Sequence, residues 1–156
     1  MNNNRRILLK GTLAAGAAGM AIGAGLLTPK AVMAAWPKAA FESKDVDSAL
    51  NAALGSASTS DSSKIKLKAP DIAENGAVVP ITVTSSISGT ESISILVPKN
   101  AQPLTATFNL GATTEGYVST RIKMGKTSDV IVVVKAGGKL YTTKKQVKVT
   151  IGGCGG

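Results

Sequence analysis

The sequence contains no histidine and only one cysteine, Cys154, in 156 residues. The absence of histidine excludes Ser-His-Asp and Cys-His catalysis, nearly all zinc enzymes and the usual haem ligation. A single cysteine also excludes an internal disulfide bond. The nine acidic residues are scattered, and no pair of them has a sequence context that indicates general acid–base catalysis. The chain is therefore predicted to be non-catalytic, with no cofactor and no metal site of its own.

Residues 1–34 have the features of a twin-arginine export signal. Arg5 and Arg6 precede a run of small apolar residues, 11–27, and Val32-Met33-Ala34 is typical of a cleavage site. An uncleaved membrane anchor is the alternative, but five glycines dilute the run, and a spanning helix needs about 20 strongly apolar residues. We therefore expect cleavage after residue 34, a mature chain that begins near Ala35, and a periplasmic location.

The mature chain is expected to be only mildly basic. The whole sequence has a formal net charge of +9, and residues 1–34 carry four basic residues and no acid, so their removal leaves +5. Aromatic residues make up 3% of the chain, and the lysines are dispersed along predicted strands. Because nucleic-acid binding requires a clustered basic stripe or a stacking platform, this function is excluded. A surface that attracts anionic substrates or acidic partners stays open.

Residues 35–63 are predicted to form an N-terminal helix and a linker. Apolar side chains recur at helical spacing from Ser43 to Leu54. Ser43 is the predicted N-cap, and Gly55 is expected to end the helix. The serine-rich stretch 56–63 is typical of a polar connector.

Residues 64–151 are predicted to form an immunoglobulin-like antiparallel β-sandwich of about seven strands. Short strands at this spacing, with little helix, are typical of that fold. Gly137-Gly138 predicts a tight hairpin, and Pro80 predicts a sheet edge or a bulge. The predicted strands are Lys64–Lys68, Val78–Ser85, Ser92–Val97, Thr105–Leu110, Tyr117–Met124, Asp129–Lys135 and Lys139–Ile151.

Two of these strands are apolar on both faces. Residues 130–134 form a continuous Val/Ile run, and residues 78–81 are nearly as apolar. A sandwich strand normally buries one face and exposes the other, so something must cover the second face. The cover is either the N-terminal helix or a loop, or a second β-subunit packed against the sheet.

Residues 152–156, Gly-Gly-Cys-Gly-Gly, are predicted to form a flexible arm that carries a thiol. Glycine has no side chain to bury, so this segment is poorly suited to a core. From Ile151 to Cys154 an extended chain spans about 10 Å. An exposed thiol has a pKa of about 8.5, so Cys154 is expected to need activation by the pocket that it enters.

The role of Cys154 has three interpretations. The first is a covalent carrier, in which the thiol holds a cargo that other enzymes process. The second is a structural or interaction module, whose terminal cysteine only forms intermolecular disulfide bonds. The third is an incidental terminal segment with no function.

The segment Val147–Gly156, VKVTIGGCGG, resembles the carrier arm of the SoxY family, the sulfur-carrier subunits of the thiosulfate-oxidising Sox system. Ala69–Pro80, APDIAENGAVVP, is similar to an early core segment of that family. The twin-arginine signal is also consistent with it, although Asn4 and Leu8 stand where Ser and Phe are commoner. The resemblance covers essentially the whole mature chain.

The resemblance implies an immunoglobulin-like fold and a heterodimer with a SoxZ-like subunit. It also implies that Cys154 is the site of covalent sulfur attachment and that Gly152, Gly153, Gly155 and Gly156 give the arm its reach and slimness. The transient partners it implies are the haem cytochrome SoxXA, which joins thiosulfate to the thiol, the manganese hydrolase SoxB, which releases sulfate, and in some systems SoxCD. Haem and metal chemistry would then stay on those partners.

Overall fold

The computed structural model describes residues 37–151, which form two short helices followed by nine strands. The helices are α1 (Lys38–Glu42) and α2 (Val46–Leu54). The strands are β1 (Ser60–Asp61), β2 (Ile65–Lys68), β3 (Ile72–Asn75), β4 (Val79–Ser85), β5 (Thr90–Leu96), β6 (Leu104–Asn109), β7 (Tyr117–Ile122), β8 (Ser128–Ala136) and β9 (Lys139–Ile151). No helix in this part of the chain is long and apolar enough to cross a membrane.

The strands form two sheets, as expected for the predicted immunoglobulin-like sandwich. The larger sheet has the order β1-β9-β8-β5-β6, with β3 also paired to β9, and the smaller sheet has the order β2-β4-β7. All pairs among the seven predicted strands are antiparallel. The two short strands that the sequence analysis missed, β1 and β3, pair with β9 in parallel. The predicted all-β sandwich is confirmed, with these two strands added.

The main core lies between the two sheets and follows from the alternation of side chains along each strand. It contains Val79, Ile81 and Val83 of β4, together with inward residues of β5, β8 and β9. On β8 the even-numbered residues Val130, Val132 and Val134 face this core. The register between β8 and β9 runs without a shift from Ser128↔Val147 to Ala136↔Lys139, so the odd-numbered residues of β8 lie on the opposite face.

The two helices cover that opposite face and form a second core with it. Val133 of β8 is 1% exposed, although it points away from the other sheet, and it clusters with Leu50 of α2 and Ala40 of α1. Leu96, Leu104 and Leu140 complete the cluster from neighbouring strands. Of the two covers that the sequence left open for β8, the helix is therefore the one observed. The apolar run on β4 differs, because Val78 and Pro80 remain exposed while Val79 and Ile81 are buried.

The start of the main helix differs from the sequence prediction. Asp45, not Ser43, is the N-cap of α2, since its Oδ1 accepts a hydrogen bond of 2.8 Å from the backbone N–H of Ser48. Ser43 instead ends α1, a short helix that the sequence analysis did not predict. The predicted end is confirmed, because Gly55 adopts the left-handed conformation (φ 83°) that favours glycine, and its N–H bonds to the carbonyl of Asn51.

Two local predictions are confirmed by the backbone. Gly137 and Gly138 join β8 to β9 with positive φ angles of 56° and 72°, as a tight primed turn requires. Pro80 lies in β4 opposite Arg121 of β7, beyond the Lys68↔Thr82 pair at which β2 ends. β4 is therefore an edge at this point, where the missing N–H of proline is tolerated.

Candidate functional site

The predicted site residues, Gly152, Gly153, Cys154, Gly155 and Gly156, lie outside the described residues. We therefore describe the part of the fold next to these residues. We call it the arm root and define it as residues 148–151 with Gly76, Met124 and Thr127. This is the part of the fold from which the predicted arm continues.

The arm root is held along one edge by β3. Ile72 pairs with Lys148, Ala73 with Val149 and Asn75 with Ile151 in parallel register. The backbone N–H of Lys148 donates to the carbonyl of Asp71 at 2.9 Å. The Thr150 hydroxyl donates to the carbonyl of Glu74 at 3.0 Å.

A side chain replaces the missing strand on the other edge. Pairing with β8 ends at Ser128↔Val147. Two residues further along β9, the N–H of Val149 donates to the hydroxyl of Thr127 at 2.9 Å. The Thr127 hydroxyl in turn lies 3.4 Å from the carbonyl of Val149. The backbone hydrogen-bonding groups on both edges of β9 thus have partners almost to the C-terminal end of the strand.

The last described residue is fixed by a relay of backbone hydrogen bonds. The carbonyl of Ile151 accepts from the N–H of Gly76 at 2.8 Å, and the carbonyl of Gly76 accepts from the N–H of Met124 at 2.7 Å. Met124 is fully buried in the main core. The point at which the predicted arm begins is therefore tied to the core through two hydrogen bonds.

Apolar side chains are exposed beside the arm root. Ile151 is 69% exposed, Ile72 of β3 is 57% exposed and Val78, in the turn after β3, is 54% exposed. These are three of the four large apolar residues that are strongly exposed in the described part of the chain. Ile72 pairs with Lys148, three positions before Ile151, so the side chains of Ile72 and Ile151 lie on opposite faces of the sheet and do not form one apolar patch.

An ion pair joins β9 to the loop that precedes β3. The Lys145 ammonium lies 2.9 Å from the carboxylate of Asp71 and donates to the carbonyl of Ala69 at 2.6 Å. The charge of Lys145 is therefore directed to the loop before β3.

Most of the arm root is not evident from local sequence patterns. Pro70-Asp71 and Glu74-Asn75-Gly76 are typical of turns, and only two residues between them are left for a strand. Ile72 and Ala73 do alternate in exposure, but a two-residue alternation is a weak signal. No sequence pattern indicates that Thr127 bonds to the backbone of Val149, because this contact depends on where β8 and β9 separate.

No group of three or more His, Cys, Asp or Glu side chains between residues 37 and 151 is arranged to hold a metal ion.

Comparison with known proteins places this arrangement in a family. The family model described as "Sulfur oxidation protein SoxY" matches residues 50–154. A search of curated proteins found no match. Among solved structures, the sulfur carrier protein SoxY from Chlorobium limicola f thiosulfatophilum is 48% identical, with a TM-score of 0.62. The match covers 67% of this chain and 96% of that chain.

A superoxide reductase (neelaredoxin) from Ignicoccus hospitalis is also similar, at 16% identity and a TM-score of 0.48. The match covers 55% of this chain and 80% of that chain. This similarity is too distant to bear on function. The SoxY match, by contrast, begins at Leu50 within α2 and covers the whole sandwich and the predicted arm as far as Cys154. This chain belongs to the SoxY family of sulfur-oxidation proteins.

Proposed function

We propose that this protein is a covalent sulfur carrier in thiosulfate oxidation and that Cys154 is its attachment site. The observation that carries the proposal is the position of the chain's only cysteine, three residues beyond a strand end that is tied to the core. The family match extends to the same residue. Membership of the SoxY family supports the role, because a solved member of that family is described as a sulfur carrier protein.

The proposed loading step is an oxidation. The Cys154 thiolate and thiosulfate form a new S–S bond, which gives a cysteine S-thiosulfonate and releases two electrons to a haem cytochrome of the SoxXA type. Hydrolysis by a SoxB-type enzyme then breaks the bond to the sulfonate group, consumes one water and releases sulfate with two protons. A persulfide remains on Cys154, and in some systems a SoxCD-type enzyme oxidises it. The protein itself is non-catalytic, and it keeps each intermediate attached while the partners act.

The geometry of the arm root supports the presentation of Cys154 to a buried active site of a partner enzyme. An arm of three residues reaches about 10 Å beyond Ile151. A partner that receives Cys154 in a pocket of that depth must bring its entrance against the arm root. Ile151, whose side chain is 69% exposed, is the described residue nearest in sequence to the cysteine that would enter such a pocket. Glycines on both sides of the cysteine let the backbone pass through a narrow channel.

We further propose export by the twin-arginine pathway, function in the periplasm, and a stable heterodimer with a SoxZ-like subunit. Residues 1–36 lie outside the described part of the chain, so these proposals rest on the signal in the sequence and on the family. Purification of the mature protein from the periplasm, with its N-terminus and its bound subunit identified by mass spectrometry, tests all three.

Intact mass spectrometry of the protein from thiosulfate-grown cells tests the carrier role. We expect adducts on Cys154 whose masses correspond to a thiosulfonate and to a persulfide. Cys154→Ser should abolish loading and leave the fold unchanged. A protein that shows only a disulfide-linked dimer, or a thiol that stays unmodified with partners and thiosulfate present, would establish the structural-module interpretation instead.

Gly153→Trp tests passage of the arm through a narrow channel. The bulky side chain should block turnover by the partners, and we expect the melting temperature to change little because residue 153 follows the last described strand in the sequence. Gly153→Ala is the matched control and should keep most of the turnover. Normal turnover in the tryptophan variant would contradict a narrow channel.

A further inference from the structure

A concave basic surface lies at the end of the sandwich that carries the arm root. It has a volume of about 460 Å³ and is formed by the loop after β5 and the loop between β7 and β8. Its charged lining residues are Lys99, Lys123 and Lys126, and no acidic residue lines it. The neutral lining residues are Asn100, Ala101, Gln102 and Gly125. We call these seven residues the basic pocket.

The topology places the basic pocket beside the arm root. β8 begins at Ser128, which pairs with Val147 near the end of β9, so the loop that precedes β8 emerges where β9 finishes. Met124 of the arm root belongs to this loop and lies in sequence between the pocket residues Lys123 and Gly125. The pocket and the arm root are therefore parts of one end of the domain.

The two loops of the pocket are joined through Asn100. Its Nδ2 donates to the carbonyl of Lys123 at 2.8 Å, and its Oδ1 accepts from the N–H of Gly125 at 3.0 Å. The N–H of Lys99 donates to the hydroxyl of the buried Ser128 at 3.3 Å. The backbone of the pocket is therefore preformed, and an occupant has to order only the lysine side chains.

The charge of the pocket is not neutralised within the described part of the chain. The two ion pairs found between residues 37 and 151 join Lys38 to Glu42 and Lys145 to Asp71, and neither lies in the pocket. A second cavity, at the opposite end of the sandwich, has Glu91 as its only charged lining residue. The positive potential is therefore local to the end that carries the arm root, where it favours negatively charged groups.

A protein that receives Cys154 must approach this pocket closely. Residues joined by backbone hydrogen bonds across strands lie about 4.8 Å apart, so the relay from Ile151 through Gly76 places Met124 within about 10 Å of Ile151. This distance is close to the Debye length of about 8 Å at physiological ionic strength. The surface of a partner that contacts Ile151 is therefore only partly screened from the lysines.

We propose that the basic pocket receives an acidic segment at the active-site entrance of the enzyme to which Cys154 is presented. This inference rests on the proposed function for the existence of that enzyme. A pocket of about 460 Å³ has the size of a site for an organic ligand and accommodates several side chains, which favours an acidic protein segment over a single inorganic anion. Carboxylates form charge-assisted hydrogen bonds with ammonium groups. Complementary charges increase the rate of encounter more than the affinity, which suits a partner that must release the arm after each reaction.

An acidic peptide tests the chemistry of the pocket without any partner enzyme. In NMR spectra of the mature protein, purified with any subunit that stays bound, we expect hexaglutamate to shift the amide signals of Lys99, Asn100 and Gly125. Hexaglutamine should leave these signals unchanged. Sodium sulfate at the same ionic strength should not saturate them. Saturation by sulfate would identify a site for a small inorganic anion and would overturn the proposal, as would equal shifts with the two peptides.

Removal of the three charges tests the pocket during turnover. Tetrathionate loads the protein, because the Cys154 thiolate attacks a central sulfur and displaces thiosulfate, which leaves an S-thiosulfonate on the cysteine. With this substrate and a SoxB-type hydrolase at low salt, the triple variant Lys99→Gln, Lys123→Gln, Lys126→Gln should have a kcat/KM about tenfold below that of the wild type. The decrease should come from a higher KM, since these lysines act on the encounter and not on the hydrolysis inside the partner.

A second triple variant provides the matched control. Lys64→Gln, Lys66→Gln, Lys139→Gln removes the same charge from the opposite end of the sandwich, where Ile65 pairs with Ser85 and Ala136 pairs with Lys139. We expect less than a twofold change in kcat/KM for this variant. At 1 M salt, where the Debye length falls to about 3 Å, the pocket variant and the wild type should converge. Equal values of kcat/KM for the two triple variants at low salt would refute the proposal.

Failure of this proposal is distinguishable from failure of the carrier role. Pocket shifts with hexaglutamate, together with no sulfur adduct on Cys154 in cells, would refute the carrier role and leave a site for acidic segments. Sulfur adducts in cells, together with equal kcat/KM for the two triple variants, would refute the acidic docking site alone.

Discussion

The strongest test of the fold is the replacement of Leu50 by alanine, because this side chain joins the helical layer to the outer face of the larger sheet. Leu50 is 3% exposed and packs in the cluster that contains Val133 and Leu140. If a partner subunit, rather than α2, covered this face, Leu50 would contribute little to the stability of the chain alone. The substitution therefore separates the two interpretations that the sequence left open.

The magnitude follows from the carbon atoms removed. Leu→Ala deletes three carbons at about 0.8 kcal/mol each, and the cavity left behind adds to the loss. We expect a decrease of about 3 kcal/mol in the free energy of unfolding. For a domain of this size that corresponds to a decrease of about 10 °C in melting temperature.

Leu54→Ala in the same helix is the matched control. It makes the same change in helix propensity, but Leu54 is only partly buried at the edge of the cluster, so we expect a loss of about 1 kcal/mol. Urea unfolding followed by circular dichroism measures both variants, and an unchanged m-value would show that the unfolded states are comparable. Equal losses at Leu50 and Leu54, or a loss below about 1 kcal/mol at Leu50, would refute docking of α2 on the sheet.

Three further predictions concern single residues, Ser92, Asp45 and Gly137, with Ser94 as the control for Ser92. The hydroxyl of Ser92 is buried without a hydrogen-bond partner, so Ser92→Ala should stabilise the protein by about 1 kcal/mol in urea unfolding. Ser94→Ala, two residues along the same strand, should destabilise it by about 1 kcal/mol, because Ser94 bonds to Thr107 at 3.0 Å; a gain there would contradict the assignment. The hydrogen bond from the N–H of Ser48 holds the pKa of Asp45 below its usual value of 3.8. The loss of stability caused by Asp45→Ala should therefore reach its full size above pH 3.8 and should vanish as the pH falls through the lowered pKa. A loss of stability that does not depend on pH would show that the charge of Asp45 does not stabilise this cap. Gly137→Ala should cost about 1 kcal/mol because φ is 56° there, and Gly137→Asn should cost less; equal melting temperatures for both would argue against a left-handed turn.

Local patterns in the sequence were sufficient for most of the strands. All seven predicted strands are present, because each combines alternating or continuous apolar residues with turn residues at its ends. The hairpin at Gly137-Gly138 and the helix end at Gly55 were predictable for the same reason, since a positive φ angle is a property of one residue and its neighbours. The N-cap was misassigned to Ser43 because Ser and Asp are both good caps and lie only two residues apart.

The sequence by itself determined which residue is the candidate for the chemistry of the protein. One cysteine, no histidine and glycines on both sides of the thiol single out Cys154, whatever the fold. These conclusions depend only on which residues are present and on their order. Only the tertiary structure decided that α2 covers β8, that β3 and Thr127 hold the end of β9, and that three lysines from two loops surround one pocket. Each of these features joins segments that are far apart in the chain, and no local pattern specifies such contacts.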